Sequence, residues 1–558
     1  MFALFAFVTV MKKLLPDMLF RLILHVVPLV SVALSKSSPL DVRLGTGVFR
    51  GVSTTSGTEK WLGIPFAAAP VGSRRFKAPV PLTHGPMAGD EPVKDASEFG
   101  NACPQPPSSG LGAPISEDCL FLNVWRPQNT SADAKLPILV WFHGGAYTTG
   151  AGSAPSADPT RILLRSVEIE KPIIFVSVNY RLNTFGFLAS SSVPKEDLNA
   201  GLLDQAQALR FLQQNIGAFG GDPEKVTIWG QSAGAGSVES LFLFPGKDEK
   251  LFRAGISDSS TGPFKSSPPP ETYDKPGKPF TRVLQATGCS TGPEAVNCLR
   301  DVPFETLLNV SNAMIGATLN SQLWQPTISP GTKFHAQASE IIKSGDFVHL
   351  PYLAGTNVNE GAGFSVSLRK RNLTGPAQDA AFDDFIARLL IDNSTVTEDV
   401  LQETHRLWAQ NDTTLGAPFN TGDSLFDRAE AWYTDEMYLA PRRLLFEHAA
   451  EKQDLFAYYF REFIPGNDLT LGVAHASELQ LFFGPVPDVE VDFANTMTDF
   501  YINFINDLNP GPEWPKYDLE TRPVLQLLRG NVTVIPDDWD VDKTDFLNSE
   551  KVLEEFQK

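Results

Sequence analysis

Four runs of apolar residues punctuate this chain, and each leads into small or polar positions. Leu136-Pro137-Ile138-Leu139-Val140-Trp141-Phe142, Val226-Thr227-Ile228-Trp229, Pro351-Tyr352-Leu353-Ala354-Gly355 and Leu455-Phe456-Ala457-Tyr458-Tyr459-Phe460 show little polar–apolar alternation. A strand with one face in water would alternate. A short run that does not alternate predicts a strand buried on both faces, as inside a mostly parallel sheet. These runs are spread over much of the 558 residues, so one sheet must collect them. The pattern therefore predicts one large α/β domain with helical insertions. The stretch 263–279, with Pro268-Pro269-Pro270, resembles a linker. Because predicted strands lie on both sides of it, it is expected to be an exposed, polyproline-like surface loop.

Chemistry is concentrated where the strands end. The run at Trp229 leads into Gly230-Gln231-Ser232-Ala233-Gly234 and then Ala235-Gly236-Ser237-Val238-Glu239, a strand turning sharply into a helix with a serine at the apex. Such an elbow forces strained torsions and close packing, which glycines tolerate best. It lifts the Ser232 hydroxyl above the sheet, and the amide of Ala233, in the first helical turn, is free to donate to a developing oxyanion. The run ending at Phe142 continues into His143-Gly144-Gly145-Ala146, where the glycine pair exposes backbone donors. The two motifs together predict an α/β-hydrolase fold with Ser232 as nucleophile and Gly144, Gly145 and Ala233 as oxyanion donors.

With these motifs in place the chain resembles the type-B carboxylesterases, the family that includes cholinesterases and several fungal lipases, and within it the secreted fungal members. Glu117-Asp118-Cys119-Leu120-Phe121-Leu122-Asn123-Val124 resembles the family's second signature. Asn199-Ala200-Gly201-Leu202-Leu203-Asp204-Gln205 and Phe219-Gly220-Gly221-Asp222-Pro223 resemble its lead-in to the elbow. In this fold the acid and then the histidine follow the serine in the chain. The histidines after Ser232 are His335, His349, His405, His448 and His475. His405 and His448 sit in charged, helix-like stretches, and His335 and His349 precede the best acid. His475 lies in the small-residue loop Leu471-Gly472-Val473-Ala474-His475-Ala476, which also resembles the family's histidine motif. Glu360, in the loop after the run ending at Gly355, is the expected acid and resembles the family's glutamate there. Its competitors are Asp346, which precedes its strand, and Asp258. Ser259 resembles a serine the family keeps near the triad, although Ser260 stands where glycine is usual. Gln231 stands where many cholinesterases have Glu, and is expected to affect local packing rather than the chemistry.

Composition adds the compartment and excludes some partners. The formal charge of −19 would repel a nucleic acid. No His-Glu-x-x-His, cysteine cluster or phosphate-binding glycine loop is present, so neither metal nor cofactor is expected. Residues 1–35 carry Lys12 and Lys13, an apolar run interrupted by His25 and Pro28, and Ala33-Leu34-Ser35, the pattern of a signal peptide. The expected organisation is a leader over 1–35 and a single domain over 36–558, secreted and without a stable membrane anchor. Six acceptor sequons, at Asn129, Asn309, Asn372, Asn393, Asn411 and Asn531, agree with secretion. The four cysteines allow three connectivities. Ease of local closure and the family resemblance favour Cys103 with Cys119 and Cys289 with Cys298.

The loop between Cys103 and Cys119 is short, rich in Pro, Gly and Ser, and lacks aromatic residues. The family's lipases carry a long apolar flap there and its cholinesterases a tryptophan, so neither a large lid nor a choline site is expected. Trp324 and Phe364 are candidates for lining a pocket. The sequence predicts a carboxylesterase acting on a small-molecule or lipid-like ester, with aryl, feruloyl or carotenoid esters in view. A lipase or sterol esterase is the near alternative and a non-catalytic binding module the remote one. Sequence does not set the oligomeric state.

Overall fold

The computed structural model describes residues 38–82, 92–244, 249–262 and 266–558. The expected leader lies outside the described residues. Residues Pro39–Lys558 form one compact unit. Its strands are β1 (Asp41–Leu44), β2 (Gly47–Arg50), β3 (Val52–Ser53), β4 (Thr58–Pro65), β5 (Val93–Asp95), β6 (Phe121–Pro127), β7 (Leu136–Phe142), β8 (Ile174–Val178), β9 (Gly221–Gln231), β10 (Ala254–Asp258), β11 (Tyr352–Asn357), β12 (Leu455–Phe460), β13 (Pro523–Leu527) and β14 (Thr533–Pro536).

Eleven of these make one sheet in the order β14-β13-β12-β11-β10-β9-β7-β8-β6-β4-β3. From β8 across to β13 every pairing is parallel, and the edges are antiparallel. The absence of alternation in the sequence has a direct cause. In β7, Ile138, Val140 and Phe142 enter one apolar layer, while Leu139 and Trp141 enter the layer on the other face. The helix Ala233–Leu243 supplies Val238, Leu241 and Phe242 to the first layer. The helix Val491–Asp507 supplies Phe493, Met497, Phe500, Tyr501 and Phe504 to the second. A third cluster, around Trp408, Trp432 and Phe382, is built by the insertion helices Pro376–Leu389, Glu398–Leu407 and Ser424–Thr434. A mostly parallel sheet between helical layers, with helical insertions, is the architecture the pattern of runs predicts.

Cys103 is bonded to Cys119 and Cys289 to Cys298. All six sequon asparagines are exposed. Among the described residues no helix is long and apolar enough to cross a membrane. One expectation needs correcting. The described part of the proline-rich stretch is an exposed loop only in part: Glu271 and residues 275–277 are exposed, but Ser266, Ser267 and Pro268 are buried, and residues Pro270–Asp274 form a 3₁₀ turn. The reason is an anchor within it, since buried Tyr273 stacks on Trp324 with ring centroids 5.5 Å apart and donates to the Gln325 carbonyl.

Several carboxyls are buried with few partners, and this sets a pH dependence of stability. Burial pushes the Glu239 carboxyl up to about 7 and that of Glu430 up to about 8. A carboxyl whose folded-state value is raised stabilises the fold fully below its unfolded value, and that contribution is lost as pH rises through the folded value. Buried His143, pushed down to about 4, acts in the opposite direction but only below its ordinary range near 6.5. The thermal midpoint should therefore fall between pH 6.5 and 8.5, and Glu430→Gln should flatten the decline. Calorimetry at constant ionic strength checks this; a midpoint that rises across the window contradicts it.

Candidate active site

The elbow is shaped by two close approaches. A β-carbon at Gly230 would lie 2.2 Å from the carbonyl of Gly234, and one at Gly234 would lie 2.0 Å from the carbonyl oxygen of Phe142. Only glycine permits the helix Ala233–Leu243 to start this close to β7 and β9. Ser232, between them, has φ 58° and ψ −124°, a conformation that costs a non-glycine residue about 1–3 kcal/mol and persists only where its surroundings fix it. The fixing includes a hydrogen bond from Ser232 N to the Asp258 carbonyl at 2.9 Å, and one from Gly236 N to the Ser232 carbonyl at 2.9 Å. Ser232 is 8% exposed. The amide of Ala233 opens the helix and has no intrahelical acceptor before it.

The candidate acid, Glu360, and the candidate base, His475, lie on neighbouring loops that are bonded to each other. Asn359 and Ala474 form a parallel bridge. Asn359 N donates to the Val473 carbonyl at 3.0 Å, and Asn357 Nδ2 donates to the Ala474 carbonyl at 2.9 Å. This brings His475 Nδ1 to 2.5 Å from Glu360 Oε2. The other oxygen, Oε1, accepts from Ser259 Oγ at 2.6 Å and from Asn357 N at 2.7 Å, and Glu360 is fully buried, at 0% exposure. With Nδ1 donating to the carboxylate, Nε2 carries the lone pair. Gln231 Nε2 donates to it at 3.1 Å. Among the described residues no hydrogen bond joins Ser232 Oγ to the imidazole, although both line one cavity. The imidazole is packed by Tyr438 and Phe364, with centroids 4.8 and 5.3 Å away.

The competing acids are placed elsewhere. Asp346 precedes β11. Asp258 is held by Trp229 Nε1 at 2.6 Å, Tyr501 OH at 2.6 Å and Tyr458 OH at 3.0 Å, and burial pushes its carboxyl up to about 6. His405 sits on a helix against Asp383 and His448 against the Leu444 carbonyl. Ser260, at the departure from the family pattern, donates to buried Glu239 at 2.5 Å. Gln231 differs from expectation, because its amide touches the imidazole as well as the packing around Gly144.

The cavity above Ser232 has a volume of about 310 Å³. Gly145 and Ala233 line it. Gly144 lies just behind, where a β-carbon would be 3.0 Å from Gln231 Oε1 and 3.1 Å from Ser232 Cβ. The loop bearing these glycines is anchored by His143, which stacks on Tyr180 at 4.4 Å while Tyr180 OH donates to the His143 carbonyl at 2.5 Å. Phe364 lines the cavity as anticipated, but Trp324 does not: its indole donates to Thr184 Oγ1 at 2.9 Å in the core. Tyr147, Gln322, Gln325, Met437 and Tyr438 also line it. No local motif marks these positions.

Residues 38–545 match the description Carboxylesterase family. The chain belongs to that family. It is 32% identical over 506 residues to "Secreted lipase 1" of Botryotinia fuckeliana, covering 82% of this chain and 84% of the relative. It is 30% identical over 508 residues to "Para-nitrobenzyl esterase" of Bacillus subtilis, covering 86% of this chain and 93% of the relative. The crystal structure of Aspergillus niger EstA superposes with a TM-score of 0.78 at 26% identity, covering 93% of this chain and 99% of that one.

The Gln231 contact makes a prediction for any reaction in which His475 acts as base. A carboxylate placed 3.1 Å from the imidazole favours the imidazolium, so Gln231→Glu should move the acidic limb of kcat/KM to higher pH by about one unit or more. Gln231→Ala should move it much less. A pH–rate profile of the Glu variant that overlays the parent would show that position 231 does not address the imidazole.

Proposed function

We propose that this chain is a secreted serine carboxylesterase that hydrolyses carboxylic esters through an acyl-serine intermediate. The observation that carries the reading is the 2.5 Å contact from His475 Nδ1 to fully buried Glu360, at the rim of the same cavity as a serine held on a strained elbow. His475 Nε2, once Gln231 releases it, takes the proton from Ser232 Oγ as that oxygen attacks the ester carbonyl carbon. The tetrahedral oxyanion accepts from the amides of Gly144, Gly145 and Ala233, each such donor being worth about 10²- to 10³-fold in turnover. Collapse breaks the bond to the alcohol oxygen, which takes the proton from the imidazolium. Water then attacks the acyl-serine with His475 again as base, and the carboxylic acid leaves as Ser232 regains its proton. Glu360 keeps the imidazole in the tautomer with the lone pair on Nε2 and stabilises the imidazolium without being protonated itself.

A phosphonate probe should label Ser232 in the folded protein, and Ser232→Ala should abolish labelling and lower kcat on a soluble nitrophenyl ester by on the order of 10⁴-fold or more. A folded protein that is neither labelled nor active would leave the non-catalytic reading standing. The name "Secreted lipase 1" of the relative that is 32% identical favours lipase action as a second reading. Rates on a short-chain nitrophenyl ester below its solubility limit, set against emulsified triacylglycerol, separate the two. Activity that rises only above the emulsion threshold overturns the esterase choice.

Secretion rests on the leader pattern over 1–35, the two disulfides and the exposed acceptor asparagines. Protein recovered from the medium of an expressing fungal culture should begin near Lys36 and lose mass on treatment with an N-glycan endoglycosidase. Recovery only from cells, with the leader intact, would reject this assignment.

A further inference from the structure

The mechanism leaves the polar part of the cavity wall unused. Beside the apolar Phe364, Met437 and Tyr438, the lining includes Asn320, Gln322 and Gln325. Gln325 is 5% exposed, and neither atom of its amide is hydrogen-bonded to another described residue. Asn320 and Gln322 turn their amides toward Tyr433 OH, Gln322 Nε2 at 3.4 Å, and leave Gln325 as the amide turned to the cavity. The backbone here is unusual too. Asn320 and Ser321 are consecutive non-glycine residues with φ of 54° and 59°, and the segment is pinned by Thr148 Oγ1 donating to the Ser321 carbonyl at 3.0 Å.

An amide such as that of Gln325, lining the cavity without a protein partner, loses its hydration unless the occupant replaces it. A plain alkyl chain cannot do so. An occupant bearing hydroxyl or carbonyl oxygen can, since an amide both donates and accepts. Size points the same way, because about 310 Å³ lies at the small end of the roughly 300–1,000 Å³ range of ligand pockets. Resting on the carboxylesterase reading, we infer that the preferred substrate is a compact oxygenated ester whose hydroxyl or carbonyl group, remote from the scissile bond, is read by Gln325. Gln325 is then a specificity-determining residue and takes no part in proton transfer.

Matched esters test this directly. Methyl 3-phenylpropanoates carrying a ring hydroxyl at position 2, 3 or 4 are compared with the ring-methyl compounds of nearly equal size, and hydroxyphenyl acetates with methylphenyl acetates, so that oxygen is offered on the acid and on the alcohol side. In the parent protein at least one hydroxylated ester should exceed its methyl partner about tenfold or more in kcat/KM, a discrimination expected when a buried polar group would otherwise go unpaired. In Gln325→Leu, or in Gln325→Met should the Leu variant not accumulate, that ratio should collapse towards one. Parent ratios near one for every pair, or a ratio unchanged in the variant, overturn the inference. The parent comparison needs no variant to fold. Phosphonate labelling of Ser232 alongside flat ratios sinks this inference alone, whereas absent labelling sinks the esterase reading and this inference together.

Discussion

The contact on which the site depends is one with no room for a side chain: Gly234 against the backbone of Phe142, where a β-carbon would sit 2.0 Å from the carbonyl oxygen. It fixes how closely the helix Ala233–Leu243 can approach β7, and β7 is paired with β9 so that Phe142 stands beside Gly230. The same pairing therefore positions two things at once. One is the elbow that carries Ser232; the other is the loop after Phe142 that carries Gly144 and Gly145. Any β-carbon at 234 would push the helix outward and change the distance between the hydroxyl and the loop amides, which matters because donors act only when placed where charge develops. The strained torsions of Ser232 are the local consequence of that closeness.

The other half of the site is held by polar rather than steric means. Glu360 and His475 lie on loops, and loops are positioned by what their backbones bond to. Here Asn357 and Asn359 at the end of β11 bond the loop of residues 472–475, while Ser259 and Asn357 N occupy the second carboxylate oxygen. A carboxylate satisfied on one oxygen is free to direct the other at Nδ1. The Gln231 amide on Nε2 is a neutral contact, worth about 0.5–1.5 kcal/mol net. A lost oxyanion donor costs about 2.7–4 kcal/mol. Releasing Gln231 is thus a small step beside the stabilisation proposed for the oxyanion.

How much of this was legible in the sequence depended on whether burial left a one-dimensional trace. Strands covered on both faces do so, and β7 and β12 coincide with their apolar runs. The run expected to end at Gly355 extends to Asn357. Its last two residues are polar, because the end of β11 faces the site and Asn357 finds partners in Glu478 and the Ala474 carbonyl. The proline-rich stretch misled because its anchor is a single buried tyrosine, too local to produce a period. Beyond the motif residues and Phe364, the cavity walls left no trace. Gln325, Phe364 and Tyr438 come from segments whose meeting depends on the third apolar cluster and on the π-helical turn Asp435–Leu439, and no spacing along the chain encodes that.

The short disulfide loop is engaged behind the site rather than over it. No residue between Cys103 and Cys119 lines the cavity above Ser232. Instead Gln105 makes a reciprocal pair with Gly150, Nε2 donating to the carbonyl and Oε1 accepting from the amide, both at 2.8 Å. Leu111 packs with Ala102 and Ala151. Gly150 in turn lies where a β-carbon would strike His143, the residue that anchors the glycine loop. The disulfide loop therefore braces the amides proposed as oxyanion donors from behind. Swinging this loop across the cavity would break the Gln105 pair with Gly150. Preorganisation of the donors and a closing flap at this position are competing demands on one segment, and here the segment's contacts serve the first.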